Sequence, residues 1–289
     1  MNLTRPRVIG IGIAILNLSL AGCVTPEAVS KFTGCAAATL TSAKPVFSDM
    51  ELSCLREVNS KVDFGTFQPP AVSDPHCKKI GTQASGAVAA AKLLSDYFSA
   101  INSLASFGSA KAGTDAESLL TKTGAAFGAD SAAQTALGSI ARVLTSAATA
   151  GYQQKQLEKD LTKVSANIPT VTNALKAIVK DVYIDTQLVS EQDELSIRYQ
   201  RFAKDNSTKN PLSPEAKLML DDRWHADQAA LEAKRASAQC LVSALEALSK
   251  GFQELAASSH RLTAKEVPGL LSPYATQLQA LIPQIQKAF

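Results

Sequence analysis

The chain has 289 residues, with 29 Lys and Arg against 26 Asp and Glu, a formal net charge of +3. That is too little basic charge over such a length for a nucleic-acid footprint. Hydrophobic residues at 46% and charged ones at 19% exclude a disordered chain, while 47 alanines and only 6% aromatics favour helix.

The N-terminus reads as an address. Arg5 and Arg7 precede an apolar run from Val8 to Leu18 that is too short to span a bilayer comfortably. Small residues then lead to Leu20-Ala21-Gly22-Cys23, completing the layout of a secretory signal. Leu-Ala-Gly-Cys resembles the lipobox of bacterial lipoproteins. The resemblance covers residues 1–23 and no more. It implies cleavage of segment 1–22, a diacylglyceryl group on the Cys23 sulfur, an acylated new amine and a lipid-anchored place in the cell envelope. Val24 follows the cysteine where an Asp would retain the protein at the inner membrane, so the resemblance implies an outer-membrane protein facing the periplasm. Two or three acyl chains hold a protein firmly where one does so only reversibly. Removing Arg5 and Arg7 leaves 27 basic residues against 26 acidic ones, a net charge of +1.

Four cysteines remain, Cys35, Cys54, Cys77 and Cys240. An even number in an oxidising compartment suits disulfides. Three of them cluster early and Cys240 is remote, so at least one bridge is expected to tie the N-terminal segment to a distant helix, with Cys35 or Cys77 joining Cys240. No pair has C-x-x-C spacing, and His76-Cys77 is a single dyad, so no metal site is expected.

The mature chain is predicted to be all-α: an elongated helical bundle with a long antiparallel, coiled-coil-like hairpin. Residues 23–80 form a lipidated segment with short helices at Pro26–Ala43 and Pro45–Val62, followed by a Pro- and Gly-rich loop from Asp63 to Pro75. Residues 81–289 form the bundle. Thr82–Phe107 is an alanine-rich amphipathic helix, with Val88, Ala91, Leu94, Phe98, Ile101 and Ala105 spaced by three and four. Asp115–Gly151 is rich in small residues, which favour either close packing or membrane helix contacts; Asp130 and Arg142 interrupt its apolar run.

The hairpin spans 152–260. Leu157, Leu161, Val164, Ile168, Val171, Leu175, Ile178 and Val182 recur as a heptad seam that keeps its phase across Pro169, where a kink is expected. The seam fades near Asp185 and returns at Leu188, Leu195, Tyr199 and Phe202. A turn at Asp205–Ser213 and a capped start at Ser213-Pro214-Glu215 lead into a matching stripe through Leu220, Trp224, Leu231, Leu241, Leu245, Leu248 and Phe252. Centring the turn near residue 209 or 210 sets Leu220 against Tyr199, Trp224 against Leu195 and Lys234 against Asp185. Such a hairpin reaches on the order of 60 Å. A break at Val267-Pro268-Gly269 precedes a last helix, 272–288. No alternation of period two suggests strands.

Chemistry is scarce. There is no phosphate-binding glycine loop, G-x-S-x-G elbow or H-E-x-x-H pair. Asp221, Asp222 and His225 share a helix face but read as a solvated helix start, and His76 and His260 as surface residues. Glu194 and Arg198 have i,i+4 spacing. No cofactor is expected. The expected function is therefore a non-enzymatic envelope lipoprotein, tethered to the membrane through Cys23, that presents its helices to a protein partner and binds no nucleic acid. The role is scaffold or assembly factor, or protection by blocking a toxin. The alternatives are a membrane-active or pore-forming protein acting through Gly124–Gly151, and an enzyme with a dispersed acidic site.

Overall fold

A computed structural model describes residues 26–61, 71–106, 115–128, 131–149, 154–208, 212–261 and 266–289. The fold is all-α, an elongated bundle with a long antiparallel hairpin, and no strand occurs among the described residues. The helices are α1 (Pro26–Ser42), α2 (Lys44–Ser60), α3 (Pro75–Ala105), α4 (Ala116–Phe127), α5 (Ala132–Thr149), α6 (Gln154–Lys163), α7 (Asn167–Ala177), α8 (Leu188–Thr208), α9 (Pro214–Ala257) and α10 (Val267–Gln286). A π-helical segment, Ile178–Gln187, joins α7 to α8.

Local chemistry sets the helix ends. The Asp74 carboxylate accepts from the N–H groups of His76 and Cys77, and Pro75 opens α3. This cap starts the helix seven residues before the predicted Thr82. Ser213 caps α9 by accepting from the Ala216 N–H, as its sequence implies. The small-residue stretch forms two helices rather than one. Gly128, at φ 80°, turns the chain between α4 and α5, and Gln134 fastens them by accepting from the Thr123 hydroxyl and donating to the Leu120 carbonyl. The expected break at Val267-Pro268-Gly269 is instead the first turn of α10, where a proline sacrifices no helical hydrogen bond. The break in the seam falls at residues 164–166, ahead of Pro169, which sits in the first turn of α7.

One core runs from Val29 in α1 to Ile285 in α10. Its centre is an aromatic group, Phe32, Tyr97, Phe98 and Phe252, packed edge to face with ring centroids 5.6–6.3 Å apart. The seam residues Leu161, Val164, Ile168, Val171, Leu175 and Ile178 are buried against the α9 stripe that includes Leu241, Leu245 and Leu248. Leu157 and Asp130 lie outside the described side chains. Helix backbones come close where side chains vanish: a Cβ on Gly86 would meet the Ala126 backbone, and one on Gly251 would meet the Phe32 ring.

Cys54 and Cys77 form the disulfide, pinning α2 to the start of α3 across 23 residues. Cys35 and Cys240 are free, half-buried thiols, so the expected long-range bridge to Cys240 is not formed. The reason is axial. Phe32 packs at the level of Gly251, and α1 and α9 are antiparallel. Cys35 is three residues beyond Phe32 while Cys240 is eleven residues before Gly251, which separates them by about 12 Å along the helices, beyond the reach of a disulfide.

The hairpin closes further along than expected. α8 continues to Thr208 and α9 starts at Pro214, so the turn centres on residue 211. Trp224 consequently packs edge-on against Tyr199, ring centroids 5.1 Å apart, instead of facing Leu195, and Lys176 meets Glu246. Beyond the root, none of the described side chains in 192–204 and 212–230 is fully buried. A two-helix arm about 25 Å long thus leaves the bundle with its seam residues only half covered. Among the described residues no helix is long and apolar enough to cross a membrane.

Candidate functional site: a charge clamp at the root of the arm

Where the arm leaves the bundle, six polar side chains converge from α2, the π-helical segment, α8 and α9. On α2, Asp49, Ser53 and Arg56 are spaced by four and three, so they share a face. Arg56 grips Asp49 through both terminal nitrogens, at 3.0 and 2.7 Å. The same guanidinium donates from Nε to Glu191 Oε1 and from Nη2 to Oε2 at 3.1 Å. Ser53 donates to Glu191 Oε2 at 2.6 Å. Tyr183 donates to Asp49 Oδ2 at 2.6 Å, and Lys234 to Oδ1 at 3.2 Å.

Asp49 and Glu191 are buried, and two cations face two anions, so the desolvated charges cancel. Burial works against the Arg56 charge, but the hydrogen bonds it donates to both carboxylates outweigh this and hold its pKa above the ordinary value. Burial, and then the Asp49 charge, push the Tyr183 phenol well above its usual range, so it remains a neutral donor. Every carboxylate oxygen in the cluster already accepts at least one hydrogen bond. None is presented to a substrate or a metal, so the arrangement acts as a clamp rather than as an acid–base pair.

The π-helical segment makes this geometry possible. Thr186 donates to the Asp181 carbonyl five residues back, and the Leu188 N–H to that of Tyr183. Tyr183, Gln187 and Glu191 are all buried in consecutive turns, where α2 packs on the segment and on α8. The buried Gln187 Oε1 has no hydrogen-bond partner among the described residues.

The residues singled out from the sequence fall elsewhere. Cys23 lies outside the described residues. Lys234 reaches Asp49, while Asp185 is exposed beside Lys180 at 3.6 Å, so the two residues that the sequence register sets opposite each other form no ion pair. The register shift and the π-helical segment together turn these two residues apart. Glu194 approaches Lys61 at 4.0 Å. His225 and Asp221 are 3.7 Å apart and both exposed, as is Asp222. His76 and His260 are exposed. Among the described residues no group of three or more His, Cys, Asp or Glu is placed to hold a metal ion. Burial pushes up the pKa of both free thiols, Cys35 and Cys240, with Lys31 partly offsetting it at Cys35.

Sequence reasoning missed Asp49, Arg56, Tyr183 and Glu191. The Asp49-Ser53-Arg56 spacing was visible, but polar residues at that spacing ordinarily mark a solvated face. No protein family, curated protein or solved structure was found to match this chain.

Proposed function

We propose that this chain is a non-enzymatic lipoprotein of the bacterial envelope. It is anchored by acyl chains on Cys23 and offers its two-helix arm to a protein partner, as a scaffold, assembly factor or protective blocker. The observation supporting this is the arm itself. Leu195, Tyr199, Phe202, Leu220 and Trp224 are half-buried there, while Leu218 and Met219 are 63% and 72% exposed. Partner helices ordinarily cover such surfaces. The geometry suits a tether. Pro26 is the third residue after Cys23, a reach of about 10 Å. The start of α1 and the tip of α9 lie at opposite ends, since Gly251 packs beside Phe32 and Pro214 is 37 residues further along α9, about 55 Å away.

The test has two arms. Cys23→Ser should move the protein from the membrane to the soluble fraction. A photo-crosslinking residue at Met219, in intact cells, should give a discrete adduct that is absent when the same residue replaces Leu270, which is 40% exposed in the first turn of α10, at the end of the bundle away from the arm. Membrane retention of the Cys23→Ser chain would refute the anchor, and the absence of an adduct from every arm position would refute the docking role.

A further inference from the structure

We infer that a groove between α2, α3 and α4 is a binding site for a small anionic amphiphile, a phosphate or carboxylate head on a short alkyl chain. It encloses about 370 Å³ and is walled by all three helices. That lies at the lower end of the range for small-molecule sites. Ala84, Val88, Ala89 and Leu119 supply an apolar lining, and Lys44, Lys92 and Lys122 supply three ammonium groups. Few convergent polar groups on an apolar surface are the composition such sites use.

Charge selects the ligand. Lys92 is held by Asp96 at 2.8 Å, an i,i+4 pair on α3. Lys44 and Lys122 lie on different helices, and neither has a carboxylate within 4 Å among the described residues. The one acid in the lining is Glu51, whose carboxylate rests over Gly81 where any Cβ would collide with it. Lys44 and Lys122 together still outnumber it. Each half of the ligand has a counterpart: the head meets Lys44 and Lys122, and the chain meets Val88 and Leu119.

The groove is also far from the start of α1. Ser30 bonds Asn102, and Ser85 lies 17 residues before Asn102 on the antiparallel α3, about 25 Å along the axis. With acyl chains on Cys23 holding the start of α1 at the membrane, as proposed above, a ligand free in water reaches the groove where a headgroup fixed in the bilayer does not. The site does not depend on acylation of Cys23.

Isothermal titration of the purified full chain with hexyl phosphate tests this, using hexanol and inorganic phosphate as the two half-ligands. Saturable binding with a dissociation constant of about 0.1 mM is expected, with each half-ligand at least about tenfold weaker. Lys44→Glu with Lys122→Glu, both exposed positions that leave the core untouched, should weaken hexyl phosphate by about tenfold or more. Glu51→Gln should bind at least as tightly as the parent. Absence of binding at 1 mM-scale ligand, or binding unchanged by the double lysine variant, would overturn the proposal.

Discussion

The Tyr183 hydroxyl donates to Asp49 Oδ2 at 2.6 Å, joining the π-helical segment to α2 across 134 residues of sequence. Asp49 also accepts twice from Arg56 and once from Lys234, so it is the shared acceptor that holds the root of the arm. Asp49→Ala leaves the Lys234 ammonium and the Tyr183 phenol without this acceptor and the half-buried Arg56 guanidinium with Glu191 alone. Loss of one partner of a buried ionic cluster costs about 3–5 kcal/mol. Arg56 is 36% exposed in its side chain and regains some hydration, which favours the low end, about 3 kcal/mol. Lys234→Met should cost clearly less. Urea denaturation of the variants checks the order, and equal losses for Asp49→Ala and Lys234→Met would contradict the shared-acceptor role.

The arm should come apart before the bundle. It has no fully buried side chain among its described residues, and regions with few buried apolar contacts open at low free energy. The single tryptophan of the chain, Trp224, lies in the arm and packs edge-on against Tyr199, so its fluorescence reports the arm alone. Its transition in urea is expected at lower concentration than the loss of far-ultraviolet ellipticity. Coincident transitions would mean that the arm and core fold as one unit. Tyr199→Ala should widen the gap.

Periodicity carried much of the fold into view. The seam through Leu161, Val171 and Leu175 and the stripe through Leu241 and Leu248 are apolar at helical spacing because one continuous core needs them. The hairpin register was less legible, since two seams of equal period align at several shifts and only the turn length selects one. The charge clamp was hidden for a different reason. Asp49, Glu191 and Lys234 are distant in sequence, and a buried ion pair has the same residue types as an exposed one. The disulfide pairing depends on axial level, which cysteine spacing does not encode.

The Cys54–Cys77 bridge closes a loop of modest length and is expected to contribute about 3 kcal/mol by restricting the unfolded chain. Asn59 reinforces the same closure by bonding both backbone groups of Ala71, at 3.2 and 2.7 Å. Alkylation in denaturant without reductant should label Cys35 and Cys240, and label Cys54 and Cys77 only after reduction. In the native state the two half-buried thiols should react more slowly than free cysteine, because burial holds them protonated. A mass-spectrometric cross-link between peptides carrying Cys77 and Cys240 would refute this pairing.

At Gly251 both α1 and α10 press close against α9. A Cβ there would run into the Phe32 ring and stand 3.0 Å from the Tyr274 Cβ. Gly251→Ala gains helix propensity but overpacks the aromatic group, and overpacking costs about 1–3 kcal/mol. Net destabilisation is expected. Gly124→Ala on α4, whose Cβ would meet nothing within 4 Å, should stabilise by up to about 1 kcal/mol. Thermal melts of the two variants should move in opposite directions, and a shared direction would argue against close packing at Gly251.

Alkali should unfold the chain through two phenols. Burial, followed by the charge of Asp49 at Tyr183 and of Asp160 at Tyr97, raises both pKa values above the ordinary one. A raised folded-state pKa means that the stability carried by the neutral form is complete below the unfolded value of about 10 and is lost as pH rises beyond it. The two tyrosines differ at neutral pH. The Tyr97 hydroxyl is buried without a hydrogen-bond partner among the described residues, so Tyr97→Phe should be neutral or stabilising at pH 7. Tyr183→Phe deletes a donor to a buried carboxylate and should cost about 1–3 kcal/mol. Melting temperatures between pH 8 and 11 should fall steeply above pH 10 in the parent and less steeply in the double Phe variant. An unchanged alkaline slope in that variant would show that other groups drive the transition.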